Sequence, residues 1–426
     1  MLFRSDQMIS LGSTQIASLL TSQMLALKSA QIAAIETADF YALTTNQIGA
    51  FTSTQVGGIT TSQLLTLTSE QIGTFATAAI TSMSTLQVAA LTTLQVLGLT
   101  TDQVVAFKTS QIGSLKTAAI SVLTSDDVAV LSTAQMAALT TSQLINLSST
   151  QFSVLPTASI AGLTSAQIPA LLTASLVALT SDQVVGMSVK QFASLTTLQI
   201  VNLMSSQISV IETQDLASIN TASIRSLTTT QLTNLTTDQL GAITSAQISN
   251  LTTSQLANLT SSQTAAFSTV ALIALSTTSL AALSTASIAG LGTTQFASLR
   301  TNQVEGLTTN QIQSLTSSTL QNLPTADISV LTTRQILALS SNQLSYLQTD
   351  QMGLLTTAQV MTLTTSSIDL VISSTQIAAL KTAQMAALTT AQFSVIDSAQ
   401  VAALETNVMR ALGTSQLRVL STAALA

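Results

Sequence analysis

Apolar residues recur along this chain at a fixed interval of eight. Thr44 to Phe51 (TTNQIGAF) is one such unit, Thr92 to Leu99 (TTLQVLGL) another and Thr252 to Leu259 (TTSQLANL) a third. Numbered one to eight, the octad reads x, Ser/Thr, x, Gln, Ile/Val/Leu, x, x, Leu. About 53 octads fill the sequence. The frame holds without a slip from Arg4 to Val371, which is 46 octads; Ile372 is a single inserted residue, and the frame resumes at Ser373. Position two is Ser or Thr in every octad but one, where it is Val189, and position five is apolar in every octad but one, where it is Thr264. Position eight is apolar throughout, and position four is Gln in 37 of the 53 octads. Positions one, three, six and seven vary, and position one accepts Lys116, Glu212, Pro156, Gly292 and Arg300.

Positions five and eight are three residues apart, which suits one face of a helix better than a strand. The spacing predicts an all-α, superhelical solenoid of very short helices, one per octapeptide repeat. Position two is the expected N-cap, its hydroxyl accepting a bond from a backbone N–H two or three residues on. Positions three to eight then form the helical stretch, and Pro156 and Pro324 at position one lie outside it. One continuous helix is disfavoured, because eight residues at about 100° each would rotate the apolar pair by roughly 80° per octad. The alternative is a β-solenoid with two or three octads per coil, in which stacked Gln and Thr form ladders. Pro169, at position six, counts against the helix, since it falls where intrahelical bonding has begun. In either architecture, burying one Ile and one Leu falls well short of the cost of ordering eight residues, so neighbouring octads must stabilise each other.

The array is expected to be one continuous solenoid over residues 1–426, interrupted only by the one-residue insertion at 372. A longer spacing also exists. Octads without Gln at position four include those of Asp39, Ala79, Ala119 and Ser159, 40 residues apart, and Ser287, Asp327 and Ser367 repeat that spacing. Two explanations stand: five octads complete one superhelical turn, or a five-octad block was duplicated. Neither end carries a polar capping repeat of the kind that usually closes a solenoid. Phe3 already occupies position eight, and Ala424 to Ala426 stop within an octad. Head-to-tail stacking into a fibre is the expected reason, excision from a longer protein the rival.

Composition narrows the chemistry. Only 7% of residues are charged and 3% aromatic, and there is no His, Cys or Trp. Disulfides and thiolate metal sites are excluded. The nucleophile–base pairs of acyl transfer and the common transition-metal ligand sets are missing too. Among carboxylates, Asp126 with Asp127 and Glu212 with Asp215 are the closest pairs. They fall at the start of an octad, where negative charge favours a helix N-terminus. The G-G-x-G-x-D signature of calcium-binding arrays is nowhere in the sequence. No catalytic, cofactor-binding or metal residue is therefore assigned, and no cofactor is expected.

The net charge is −6, and the eleven basic residues are scattered singly, so no face is built for nucleic acid. Mean hydropathy is +0.53, yet Thr, Ser or Gln interrupts every apolar run well short of the ~20 residues a spanning helix needs. No transmembrane segment or signal-peptide core is expected. Met24, Met136, Met352 and Met385 stand at core positions, as do Phe51, Phe75 and Phe107. Tyr41 and Tyr346 fall at variable positions and are expected to be exposed. The Ser and Thr rows are the one surface feature with functional reach: aligned hydroxyls suit carbohydrate, ordered water or O-glycans, and they suit helix caps and solvated turns as well.

The phrases Thr133 to Leu139 (TAQMAAL) and Ser374 to Leu380 (STQIAAL) resemble repeats of large bacterial surface proteins, octapeptide tandem-repeat proteins often labelled adhesin-like or "haem utilisation". The resemblance implies an exported structural or adhesive role in Gram-negative bacteria. Haem ligation does not follow, because no His is present as an axial ligand. The pattern Leu-Thr-x-x-Gln-Val is also similar to the start of TAL-effector DNA-reading repeats. Those are much longer and basic overall, so that similarity favours short helices and not DNA binding. The expected function is that of a structural, non-enzymatic extracellular or cell-surface repeat protein. It would form an elongated rod that self-associates head to tail into filaments. The alternative is an adhesin stalk or a carbohydrate- or ice-binding module that uses the Ser/Thr rows, with surface glycans as partners.

Overall fold

In the computed structural model, which describes residues 3–421 and residue 424, each octad from Arg4 to Leu420 folds as one short helix. Among the described residues there are 51 α-helices, from Ser5–Ile9 to Thr414–Val419, and no strand. The β-solenoid alternative is thereby removed. The chain divides into two compact units, Met1–Ile219 and Asn220–Ala426, and the same local rules build each.

The octad of Thr44 shows those rules. Thr44 is the N-cap, in extended conformation (φ −74°, ψ 158°), and its Oγ1 accepts the Gln47 N–H at 3.3 Å. The helix runs Thr45–Gly49, and Phe51 N–H closes the last turn on the Ile48 carbonyl at 3.1 Å. The cap thus sits at position one, one residue before the expected position two. Position two is already helical, and its side chain faces a neighbouring octad instead. At the other end the chain leaves the helix again: Leu139, at position eight, has φ −62° and ψ 135°. In such octads two successive extended residues, eight and one, redirect the chain, so the helices cannot fuse into one.

Pro fits this scheme. Pro156 (φ −57°) and Pro324 (φ −52°) occupy the extended cap position, where no intrahelical N–H is needed. Pro169 sits deeper and has no N–H for the Ser165 carbonyl. Its octad keeps only a 3-10 turn, Ile168–Ala170, while Ile168 and Leu171 stay buried. The penalty of this proline is therefore a local tightening and not loss of the core.

Positions five and eight form the core in both units. Ile48, Leu64, Leu232 and Leu280 are fully buried, and Leu43, Leu67 and Leu283 nearly so. Phe40 and Phe51 pack with ring centroids 6.3 Å apart. The methionines Met24, Met136, Met352 and Met385 have no exposed surface. Thr264, the polar exception at position five, is buried with its Oγ1 bonded to the Thr260 carbonyl at 3.0 Å, so its hydroxyl is satisfied within its own turn.

Each helix stacks on the third one along: Ser53–Gly57 packs against Thr77–Ser82, and Ser261–Ala265 against Thr285–Ala289. Hydrogen bonds from position-four glutamines reach the fourth octad back, as Gln63 does to Ile32 and Ile35. One turn therefore takes between three and four octads. The five-octad turn, one of the two readings of the 40-residue spacing, is overturned, because five pairs of Ile and Leu side chains around one axis would leave a void that close packing does not tolerate.

At the frame slip, Ile372 itself is buried and its carbonyl accepts the Gln400 amide at 2.7 Å, which makes it the position-eight residue of its octad. The surplus residue is absorbed just before it. Val371 leaves the helical region (φ −129°, ψ −42°), both Val371 and Ile372 donate to the Ser367 carbonyl, and Leu370 is thrown out to solvent.

Candidate functional site

The feature that repeats in both units is the buried glutamine at position four. Gln63 is 1% exposed and uses its whole amide. Its Oε1 accepts the Thr60 N–H at 3.0 Å, and its own backbone N–H donates to Thr60 Oγ1 at 3.2 Å, a reciprocal capping box. Its Nε2 donates to the Ile32 and Ile35 carbonyls at 2.9 and 2.8 Å. In the second unit Gln311 does the same, with Thr308 on one side and Leu280 and Leu283 on the other. Carbonyls on one side and N–H donors on the other fix the amide orientation. Each glutamine is a rung: it starts its own helix and satisfies the C-terminal carbonyls of the helix four octads back, which would otherwise be buried without partners.

A second seam joins octads three apart. Ser29, at position two, donates to the Thr54 carbonyl at 2.9 Å, and Ser82, at position seven, donates to the Ser53 carbonyl at 2.7 Å. Side chains here are short because the backbones are close. A Cβ on Gly98 would run into the Ser69 carbonyl, and one on Gly73 would lie 2.7 Å from the Gly98 carbonyl. Val189, the exception at position two, keeps the shape of Thr and loses only the hydroxyl.

The hydroxyl rows therefore have work inside the array. Position-one Ser and Thr cap helices, and position-two residues face a neighbouring turn. The signal for this was the glutamine itself: a residue at position four in 37 of 53 octads, with Pro at position one only where Gln is absent, as in Pro156 with Ser159 and Pro324 with Asp327. Proline has no N–H for the glutamine oxygen.

Where Gln is replaced, the rung changes. Ala79 and Ala119 have no polar atom to offer. Ser159 and Ser287 each make half a rung, to the Leu131 and Leu259 carbonyls at 3.1 and 3.2 Å. At Ser367 a cleft opens, lined by Ile336, Leu339, Thr364 and Ser367. Asp127 accepts bonds from the Thr124 N–H, Thr124 Oγ1 and Thr101 Oγ1 at 3.0, 2.7 and 3.2 Å. Its neighbour Asp126 is exposed, so this pair shares no site.

Glu212 is exposed and Asp215 buried. Burial, and then the Glu212 charge, push the Asp215 carboxyl up to about 6, and burial alone does the same to Asp327. Neither pair places an acid and a base across a cavity. Among the described residues no three His, Cys, Asp or Glu side chains converge as a metal site would require. One ion pair, Arg4 with Asp6 at 3.4 Å, occurs among them, on an exposed helix. Tyr41 and Tyr346 are exposed. No described helix is long and apolar enough to cross a membrane.

Comparison with known proteins finds the repetition as well. The ALTTAQ repeat family model matches residues 32–69, 104–141, 208–245, 320–357 and 370–406, which together make up less than half of the chain. Ala387 to Gln392 spell that phrase letter for letter and span an octad junction: position seven, core Leu388, cap Thr389, Thr390, Ala391 and rung Gln392. No curated protein matches the chain. On these five matches and on the rung geometry, the chain is a tandem-repeat protein with stretches similar to the ALTTAQ repeat.

Proposed function

We propose that this chain is a structural, non-enzymatic repeat protein of the extracellular space or bacterial cell surface, serving as an elongated spacer and associating with copies of itself end to end. The observation that carries this reading is the assignment of the buried polar groups. Glutamine amides join one octad to another, as Gln63 does to Ile32 and Ile35, position-two side chains such as Ser29 do the same, and cap hydroxyls such as that of Thr60 are taken up by their own helices. Repetition of one helix-forming unit gives extension and stiffness, which a spacer needs and an active site does not. The cell-surface setting rests on the likeness of TAQMAAL and STQIAAL to bacterial surface repeats.

Self-association is proposed because octads stack on like octads within each unit, as Ser53–Gly57 does on Thr77–Ser82, so a second copy offers the same kind of surface as a neighbouring octad. The Ser/Thr rows as an adhesive or glycan-binding face have less support, since cap hydroxyls already face their own helices. Negative-stain microscopy with sedimentation analysis of purified protein tests the proposal. Narrow particles that lengthen with concentration are expected. Compact particles of one size at every concentration would overturn it.

A further inference from the structure

Four aspartates, Asp39, Asp127, Asp215 and Asp327, stand at position four in place of the rung glutamine. Two of them are supplied with donors. Asp39 accepts a bond from Ser13 Oγ at 2.6 Å, and Asp127 one from Thr101 Oγ1 at 3.2 Å. In both cases the donor is the position-two hydroxyl 26 residues earlier. For Asp215 that residue is Val189, the one position-two residue in the chain without a hydroxyl. Asp215 is 2% exposed, and its Oδ1 is buried with no partner. Asp327, also 2% exposed, has the hydroxyl-bearing Thr301 at that register, but its octad begins with Pro324, which has no N–H to donate.

The rung register says which carbonyls lie at this station, and Ser159 and Ser287 show that a side chain shorter than Gln reaches the one 28 residues earlier. Nε2 at this station points between the carbonyl oxygens 31 and 28 residues earlier, as in Gln63. Those carbonyls belong to Val184 and Met187 for Asp215, and to Phe296 and Leu299 for Asp327. An ionised carboxylate sets negative oxygen toward carbonyl oxygen, which is unfavourable in a buried place. A protonated carboxyl presents an O–H there instead.

We propose that Asp215 and Asp327 are proton-operated rungs: protonated, the carboxyl donates its O–H to a carbonyl four octads back and closes the seam, and on ionisation the seam opens. One proton is taken from water on closing and returned to it on opening. Charged groups on the packed and neighbouring elements sit outside the slots. Around Asp215 they are Glu212 in its own octad, Lys190 on Val189–Ser194 and Asp182 on Ser181–Val185, all exposed. Around Asp327 they are Arg300 and Glu305 beside and on Thr301–Glu305, Asp350 on Thr349–Met352 and Arg334 on Thr333–Ala338, again exposed. Only Glu212 acts appreciably on a carboxyl, and it favours the proton. Both carboxyls are raised to about 6. Their stabilising contribution is therefore complete below the ordinary carboxylate range and is lost as pH rises through about 6.

Hydrogen exchange of the full chain, read by mass spectrometry near pH 5 and near pH 7.5 and corrected for intrinsic rates, tests this. Segments 184–195, 213–219, 296–305 and 325–331 are expected to exchange about tenfold faster at the higher pH. The double variant Asp215→Gln/Asp327→Gln is expected to lose that difference, while Asp127→Gln keeps it. Val189→Thr, which restores the missing donor, is expected to lower the Asp215 midpoint by about one pH unit and leave Asp327 unchanged. A pH difference that survives in the double variant, or a native chain with none, overturns the proposal. So does recovery of protection near pH 7.5 on adding calcium or sodium salts, which would make the occupant a cation and not a proton.

Discussion

Gln63 Nε2 lies 2.8 Å from the carbonyl oxygen of Ile35, a residue in the octad four places earlier. That bond links two levels of the array and also explains why the position is so often glutamine. The shorter Ser159 reaches one carbonyl, that of Leu131, where glutamine reaches two. Glu, ionised, cannot donate. Gln63→Ala removes three side-chain hydrogen bonds at once and leaves the buried Ile35 carbonyl unpaired, and is expected to cost about 2–4 kcal/mol. Gln63→Glu is expected to be about as harmful at neutral pH and milder in acid. Its folded-state carboxyl is raised by burial, so the stability it retains is present at low pH and lost as pH rises. Denaturant midpoints at two pH values check both.

Ala119 marks a missing rung, opposite the carbonyls of Val88 and Leu91. Ala119→Gln supplies donors to those oxygens and an acceptor to the Lys116 N–H, and is expected to stabilise the chain by about 1–2 kcal/mol. A lower denaturant midpoint in this variant would mean that the slot has closed around alanine.

Position one and position two carry the same residue types for different reasons. Thr92 Oγ1 accepts the Gln95 N–H at 3.2 Å, so Thr92→Val is expected to cost about 1 kcal/mol. Thr93 follows as the first helical residue, and Thr93→Val, which keeps the shape as Val189 does, is expected to stay within about 0.5 kcal/mol of the native chain. Paired unfolding curves separate the two positions.

Gly98 lies where a Cβ would meet the Ser69 backbone carbonyl, and backbone cannot swing aside as a side-chain tip can. Gly98→Ala is expected to cost about 1–3 kcal/mol. Ala50, also at position seven, shows that the rule is set by local approach and not by the position alone.

Much of this was legible in the sequence. Ile48 and Phe51 could be placed in the core from their spacing, and Thr44 to Phe51 could be read as a helix followed by a break. The cap was legible only to within one residue, because Thr44 and Thr45 are both good caps and only the fold decides which side chain turns inward. The partner of Gln47 was not legible. Ile16 and Leu19 lie 31 and 28 residues back. A period of eight says nothing about which earlier octad lies underneath. The 40-residue spacing of Ala79, Ala119 and Ser159 suggested the wrong turn, since it reflects where glutamine is absent and not how many octads close a coil. The role of Val189 was hidden for the same reason: its significance depends on Asp215, 26 residues away.

Glutamine joins octads four apart in both units, and the array depends on it. Gln111 bonds to the Ile80 and Met83 carbonyls at 2.9 and 2.8 Å. Hydrogen exchange on Gln111→Ala tests the claim most directly. Faster exchange is expected in two separated stretches, the octad of Gln111 and the octad of Ile80 to Met83, with octads distant from both unchanged. Faster exchange confined to residues 108–115 would contradict it.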